Sequence, residues 1–131
     1  SSVQRESSAP RVEVFDDKDA WTEAVREAVR EAGSSDEGLT AVIVPWKHEA
    51  TKLVAALGND APQLVDATGA LPRSGCVLLT LPLAKGLEFD HVIIPNASAG
   101  LFPADDRIAK NRLYTSISRA TRKLDVFALA S

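Results

Sequence analysis

The sequence predicts an α/β fold, a parallel sheet with helices on both faces, and three observations predict it. Four apolar runs rich in β-branched residues, at 39–44, 76–81, 90–95 and 124–129, have the composition of strands covered on both faces. Helical patterns alternate with strand patterns along the chain, which is the rhythm of parallel pairing. The length of 131 residues with 45% hydrophobic content suits one compact domain with its own core and leaves no room for two.

In chain order, residues 12–15 (Val-Glu-Val-Phe) alternate as a short strand does. Asp16 and Asp17 offer side-chain caps to a helix whose apolar positions are Ala20, Trp21, Ala24, Val25, Ala28, Val29 and Ala32, and Gly33-Ser34-Ser35 ends it. Residues 39–44 form a strand that Pro45 closes before a helix over 48–57. Pro62, Gly69, Pro72 and Gly75 mark 58–75 as a connection holding one short strand at 63–66. Strands follow at 76–81 and 90–95, then a helix over 106–122 and a last strand at 124–129. Residues 1–11 are expected to be a flexible N-terminal segment or linker, and residues 12–131 the folded domain. The sequence has no internal repeat and no low-complexity tract.

Charge is unevenly distributed around a formal net value of −3. Residues 1–40 hold ten acids and five bases, whereas Arg107, Lys110, Arg112, Arg119, Arg122 and Lys123 outnumber the acids beyond residue 100. That basic cluster is either a phosphate-binding patch or a solvated helix face. The single cysteine, Cys76, excludes a disulfide scaffold and reads as a small buried hydrophobe. His48 and His91 have no cysteine or acid cluster near them in sequence, so no metal site is expected. Trp21 and Trp46, at an apolar helix position and a strand end, read as core positions in preference to base-stacking platforms. The sequence holds no run of eighteen apolar residues and residues 1–10 are polar, so no membrane segment and a cytoplasmic location are expected.

Helix 106–122 is expected to have two faces. Leu113, Ile117, Ala120 and Leu124 would form an apolar stripe against the sheet, while Arg112, Ser116, Arg119 and Lys123 follow the same spacing one residue out of phase. That would align two guanidinium groups, permanently charged and rich in fixed donors, for a phosphate. Upstream, Lys85-Gly86-Leu87-Glu88-Phe89-Asp90 leaves the strand ending near Thr80, at the carboxyl edge where ligands bind in open α/β sheets. There Gly86 permits an unusual backbone conformation or a close approach, Lys85 supplies a cation and Glu88 an acceptor suited to ribose hydroxyls. The same six residues could instead be an ordinary turn with Leu87 and Phe89 buried.

Lys85 to Asp90, together with Arg112-Leu113-Tyr114 and Ser118-Arg119-Ala120, resembles the last two signature motifs of UvrD-type ATP-dependent helicases. These motifs lie in the second of the family's two RecA-like motor domains. The resemblance covers residues 76–127 well and 39–57 loosely, and Gly100-Leu101-Phe102-Pro103 resembles an element found between the same two motifs. It implies a P-loop NTPase fold that lacks its own P-loop, since no G-x-x-x-x-G-K-[ST] occurs here. It further implies that Lys85, Gly86, Glu88 and Arg112 line a nucleotide cleft, and that Arg119 is an arginine finger on the γ-phosphate, against the plainer reading of a surface cation. ATP and Mg²⁺ would be bound mainly by an N-terminal motor domain outside this chain, and the isolated domain would be inactive alone.

The chain departs from the pattern in two places. Family members carry Thr-Leu-His-Ser where this sequence has Thr80-Leu81-Pro82-Leu83, so only Thr80 carries over as a contact to single-stranded DNA. The connection at 58–75 has no room for the large insertion of UvrD. Both departures resemble the HelD branch, some of whose members act on RNA polymerase, which makes a protein-interaction module of a polymerase-associated factor the alternative. A third reading is an unrelated α/β domain that binds a small nucleotide by itself.

Overall fold

The computed structural model of the chain describes residues 9–66, 71–98 and 100–130. Its elements are β1 (Arg11–Phe15), α1 (Lys18–Ser34), β2 (Leu39–Val44), α2 (Lys47–Leu57), a 3-10 turn (Gly58–Asp60), β3 (Gln63–Leu64), β4 (Gly75–Thr80), α3 (Leu81–Ala84), β5 (Phe89–Ile94), α4 (Arg107–Ile117) and β6 (Ala120–Leu129). Residues 1–8 of the expected N-terminal segment, and Ala99, lie outside the described residues. The strands form one sheet in the order β1-β6-β5-β2-β4-β3, with every pairing parallel.

A parallel sheet needs cover on both faces, and the two core clusters show how it is supplied. On one face Trp21, Val25 and Val29 of α1 and Leu53 and Leu57 of α2 pack on Val42, Val44, Leu78, Ile93 and Phe127. On the other, Leu81 and Ala84 of α3, with Leu113 of α4, pack on Ala41, Ile43, Leu79, Val92 and Ile94. Central strand β2 is therefore buried at all six positions. Helix α1 starts where expected because the Asp17 carboxylate accepts the Ala20 amide at 2.9 Å. Trp21 is core, and its indole Nε1 donates to the Pro95 carbonyl at 2.8 Å, so the one polar atom of a buried ring is satisfied. No described helix is long and apolar enough to cross a membrane.

Three elements differ from the sequence expectation. Helix α4 ends at Ile117 instead of reaching residue 122, and β6 begins at Ala120. The cause is sheet pairing: the Phe89 amide donates to the Arg119 carbonyl at 2.8 Å, and Phe89 is in register with Ala120. Ala120 and Leu124 are thus strand residues, and the buried positions of α4 are Ala109 and Ser116. Ser116, expected on a polar edge, is 2% exposed, its hydroxyl bonded to the Arg112 carbonyl at 2.9 Å. Strand β4 stops at Thr80, and Leu81, assigned to that strand, opens α3 instead. Pro82 sits in the first turn of α3, where a missing amide hydrogen costs nothing. The short strand expected over 63–66 is only Gln63–Leu64.

Candidate functional site

Helix α3 decides where Lys85–Glu88 lies. Strand β4 delivers Thr80 to the carboxyl edge of the sheet, and any crossover between parallel strands must return the chain to the edge where strands begin. The α3 turn starts that return, so Lys85, Gly86, Leu87 and Glu88 sit immediately before β5, at the amino edge. This corrects the expectation that the segment occupies the carboxyl edge. Phe89, its first strand residue, is buried, while Lys85 and Glu88 are exposed. Gly86 has φ +81° and open space where a Cβ would be, so its requirement is conformational and not one of close approach.

Arg119 arrives at the same edge from the other direction, in the turn between α4 and β6. Its guanidinium donates from Nη1 to the Leu87 carbonyl at 3.2 Å, from Nε to the Thr115 carbonyl at 3.2 Å and from Nη2 to the Ser118 hydroxyl at 3.2 Å. These bonds hold the fork against the Lys85–Glu88 turn, one residue from Glu88. Among the described residues, three of the five guanidinium N–H groups find acceptors, and the other two can serve an outside acceptor. Two cations and a carboxylate, drawn from segments about thirty residues apart, are therefore brought to one edge.

Arg112 does not join them. It lies mid-way along α4, which runs from the carboxyl to the amino edge, and its guanidinium is 5.7 Å from the centroid of the Trp46 ring. The expected alignment of Arg112 with Arg119 fails because Arg119 lies beyond the helix end. Thr80 is likewise at the carboxyl edge, paired in register with Val44, two residues before Trp46. Trp46, expected to be core, is 38% exposed.

Sequence reasoning missed a buried polar chain across three adjacent strands. The Thr40 hydroxyl and His91 Nδ1 lie 3.2 Å apart, and His91 Nε2 is 2.8 Å from Asp125 Oδ2. Burial pushes the Asp125 carboxyl up, but the His91 hydrogen bond and the charges of His91, Lys123 and Arg11 outweigh it and leave the group below its ordinary 3.8. Asp125 Oδ1 and Arg122 Nε are buried with no hydrogen-bond partner among the described residues, and both residues line a cleft of about 400 Å³ at the amino edge on the α1 face. Next to it, the Asp90 carboxylate accepts the Leu39 amide at 3.2 Å, directly against Gly38. The polar, partly buried positions of His91 and Asp125 in otherwise apolar strands were the available signal.

Residues 75–126 match the family model of the UvrD-like helicase C-terminal domain. The chain is also similar to the C-terminal domain of a possible DNA helicase from Lactobacillus plantarum WCFS1, at 29% identity and a TM-score of 0.78, covering 94% of this chain and 75% of that one. The C-terminal domain of the DEAD-box protein Dbp5 matches at 16% identity and a TM-score of 0.59, covering 95% of this chain and 78% of that one. The E. coli DEAD-box protein SrmB, bound to regulator of ribonuclease activity A, matches at 11% and 0.53, covering 97% and 79%. No curated protein matches the chain. The fold is thus RecA-like, that of helicase C-terminal domains, and the UvrD-like match spans both Lys85–Glu88 and Arg119.

Proposed function

We infer that this domain is the second motor half of an ATP-dependent UvrD-like helicase or translocase, and that its amino edge is half of an ATP site. The observation that carries the reading is the hydrogen bond from Arg119 to the Leu87 carbonyl, which joins the two motif segments at one edge. The residues there fit a nucleotide: Lys85 and the two remaining Arg119 donors suit phosphate oxygens, and the Glu88 carboxylate suits ribose hydroxyls. Mg²⁺ would be held mainly by the other motor half together with the phosphates themselves. When bound, ATP supplies the phosphoryl group whose transfer to water drives the cycle.

Arg119 then acts as the finger. The Leu87 and Thr115 carbonyls pre-orient its fork, so little side-chain freedom is lost when it meets a phosphate offered by the N-terminal motor domain. Binding one nucleotide state better than another makes the finger a latch between the halves, and cycling of that latch moves the protein along a single strand held at the carboxyl edge by Thr80. Arg112 belongs to that second edge. In the HelD-like alternative, favoured by Pro82 in the place of the family's histidine, the same cycle levers on RNA polymerase in the cytoplasm.

Arg119→Ala in the complete parent protein tests the reading. ATP turnover should fall by about 10³- to 10⁵-fold, the usual worth of an arginine finger, with the thermal unfolding transition retained. Arg119→Lys, which keeps the charge without the fork, should also be severely impaired. Turnover unchanged in both variants would remove Arg119 from the site, and tight ATP binding by the 131-residue chain alone would replace the half-site with a self-contained nucleotide domain.

A further inference from the structure

We propose that the amino-edge cleft on the α1 face is a binding site for a basic amino acid, taking its guanidinium or ammonium group at Asp125 and its carboxylate at Arg122. The ATP half-site leaves this cleft unused. Asp125 lines it, is 2% exposed, and has in Oδ1 a carboxylate oxygen with no hydrogen-bond partner among the described residues. A buried acceptor without a donor costs free energy that a ligand N–H restores. His91 Nε2 holds the other oxygen, Oδ2, at 2.8 Å, so the acceptor is fixed in place before anything binds.

The surroundings select a cation at that end. Glu31, Glu37 and Asp90 line the cleft with Asp125. Helix α1 ends beside them with no basic residue in its last turn, so the negative end of its dipole adds to their charge. The nearby cations of the domain are committed elsewhere. Arg11 Nε donates to Glu13 at 3.1 Å with its guanidinium over the Phe127 ring, and Arg122 Nη1 donates to the Glu37 carbonyl at 3.3 Å.

The opposite requirement sits at the other end. Arg122 Nε is a buried donor with no partner among the described residues, and exposed Lys123 follows it. Residues 122 and 125 are about 10 Å apart along β6, so a ligand that serves both needs its charges separated by a long stem. Arginine and lysine have such stems, and buried Ala28 and Ala32 of α1 offer the stem a small apolar wall. A volume of about 400 Å³ holds a free amino acid of this size. The cleft also lies behind the proposed half-site, the one part of the inference that rests on the ATP reading. Asp90 is two residues past Glu88 and Arg122 three past Arg119, so a bound amino acid bridges the segments that carry the nucleotide groups.

Calorimetric titration of L-arginine into this chain, without nucleotide, tests the site. A saturable heat from a single site is expected. L-citrulline, which has nearly the same shape and a neutral end, should bind about 10- to 150-fold more weakly, the usual worth of a hydrogen bond to a charged group. Asp125→Asn should abolish that discrimination. Because Asp125 is buried and its variant can unfold, Glu31→Lys repeats the test at an exposed position and should weaken arginine binding by about tenfold or more. Asp105→Lys, an equal charge change on an exposed residue outside the cleft, should leave binding unchanged. A capped glycyl-arginyl-glycine peptide, which lacks the free carboxylate, separates the sources of a guanidinium. Weaker binding than free arginine supports the amino acid, and equal or tighter binding overturns it in favour of a protein side chain. Absence of saturable binding through about 10 mM, equal binding of citrulline, or equal effects of Glu31→Lys and Asp105→Lys would each overturn the site. In the complete parent, saturating arginine should shift the KM for ATP, and an unchanged KM with binding intact would overturn only the link to the half-site.

Discussion

Substituting Gly38 by alanine should destabilise the fold by an amount the structure allows one to estimate in two parts. Gly38 enters β2 with φ +115°, a conformation that any side chain strains by about 1–3 kcal/mol. A methyl group there would also overlap the Asp90 carboxyl, which lies against the glycine. Moving that carboxyl breaks its 3.2 Å bond from the buried Leu39 amide, and an unpaired buried donor costs about 1–3 kcal/mol. The two together reach about 2–6 kcal/mol, a large share of the 5–15 kcal/mol that typically holds a domain folded. Urea unfolding followed by circular dichroism should therefore show a midpoint lowered by about 1–3 M with an unchanged slope. Repeating Gly38→Ala in an Asp90→Ala background should cost less, since the carboxyl has gone and only the backbone strain and a tight contact with the remaining Cβ are left. An equal cost in both backgrounds, or a cost under about 0.5 kcal/mol in wild type, would refute the crowding argument.

The Asp125 carboxyl should shape the acid limb of stability. Its folded pKa lies below 3.8, so its contribution is complete above that value and is lost as pH falls through the lower folded pKa. Asp125→Asn should flatten the stability profile as pH falls below the ordinary carboxylate value of 3.8, and an acid limb as steep as that of wild type would show that other carboxyls dominate. Burial pushes the Cys76 thiol up to about 12, leaving about 10⁻⁴ of it ionised near pH 8. A disulfide reagent should then label Cys76 about 10³-fold more slowly than a free thiol until urea opens the fold, and labelling at the rate of an exposed cysteine would show that the surrounding core is open.

Strands covered on both faces were the most legible parts of the fold, because β2, β4 and β5 are short apolar runs that no amphipathic helix would show. Helix α1 was legible from Asp17 and a clean helical period. The end of α4 was not, because Leu113, Ile117, Ala120 and Leu124 satisfy helical spacing while 120–129 equally satisfies strand alternation, and no glycine marks the stop. That single ambiguity put Arg119 on a helix face with Arg112 and led to a shared polar edge that does not exist. Helix α3 was illegible for a different reason: four residues containing Pro82 are too few for a period, yet they determine which edge of the sheet Lys85–Glu88 occupies. His91 and Asp125 stood out as polar residues in apolar runs, but their link to each other and to Thr40 was illegible because the three meet only across β2, β5 and β6. Trp46 was misread because an apolar residue after a strand looks the same whether its ring turns inward or outward.

The crossover through α3 has a mechanical consequence. Thr80 is level with Val44 and Phe89 is about level with Gly38, with β2 lying between β4 and β5. Six residues along a strand and two strand spacings across make a diagonal of about 22 Å. The link covers it with one helical turn, and the Ala84 carbonyl then accepts the Leu87 amide at 3.0 Å, so the chain turns again at Lys85–Gly86 before entering β5. Eight residues thus join Thr80 to Phe89 through two consecutive turns, and Leu81, Ala84 and Leu87 anchor that link to the core along its length. An inserted residue would have to loop out between those anchors or shift the Leu87 carbonyl that Arg119 binds, so the spacing between the two edges of the sheet is fixed by packing.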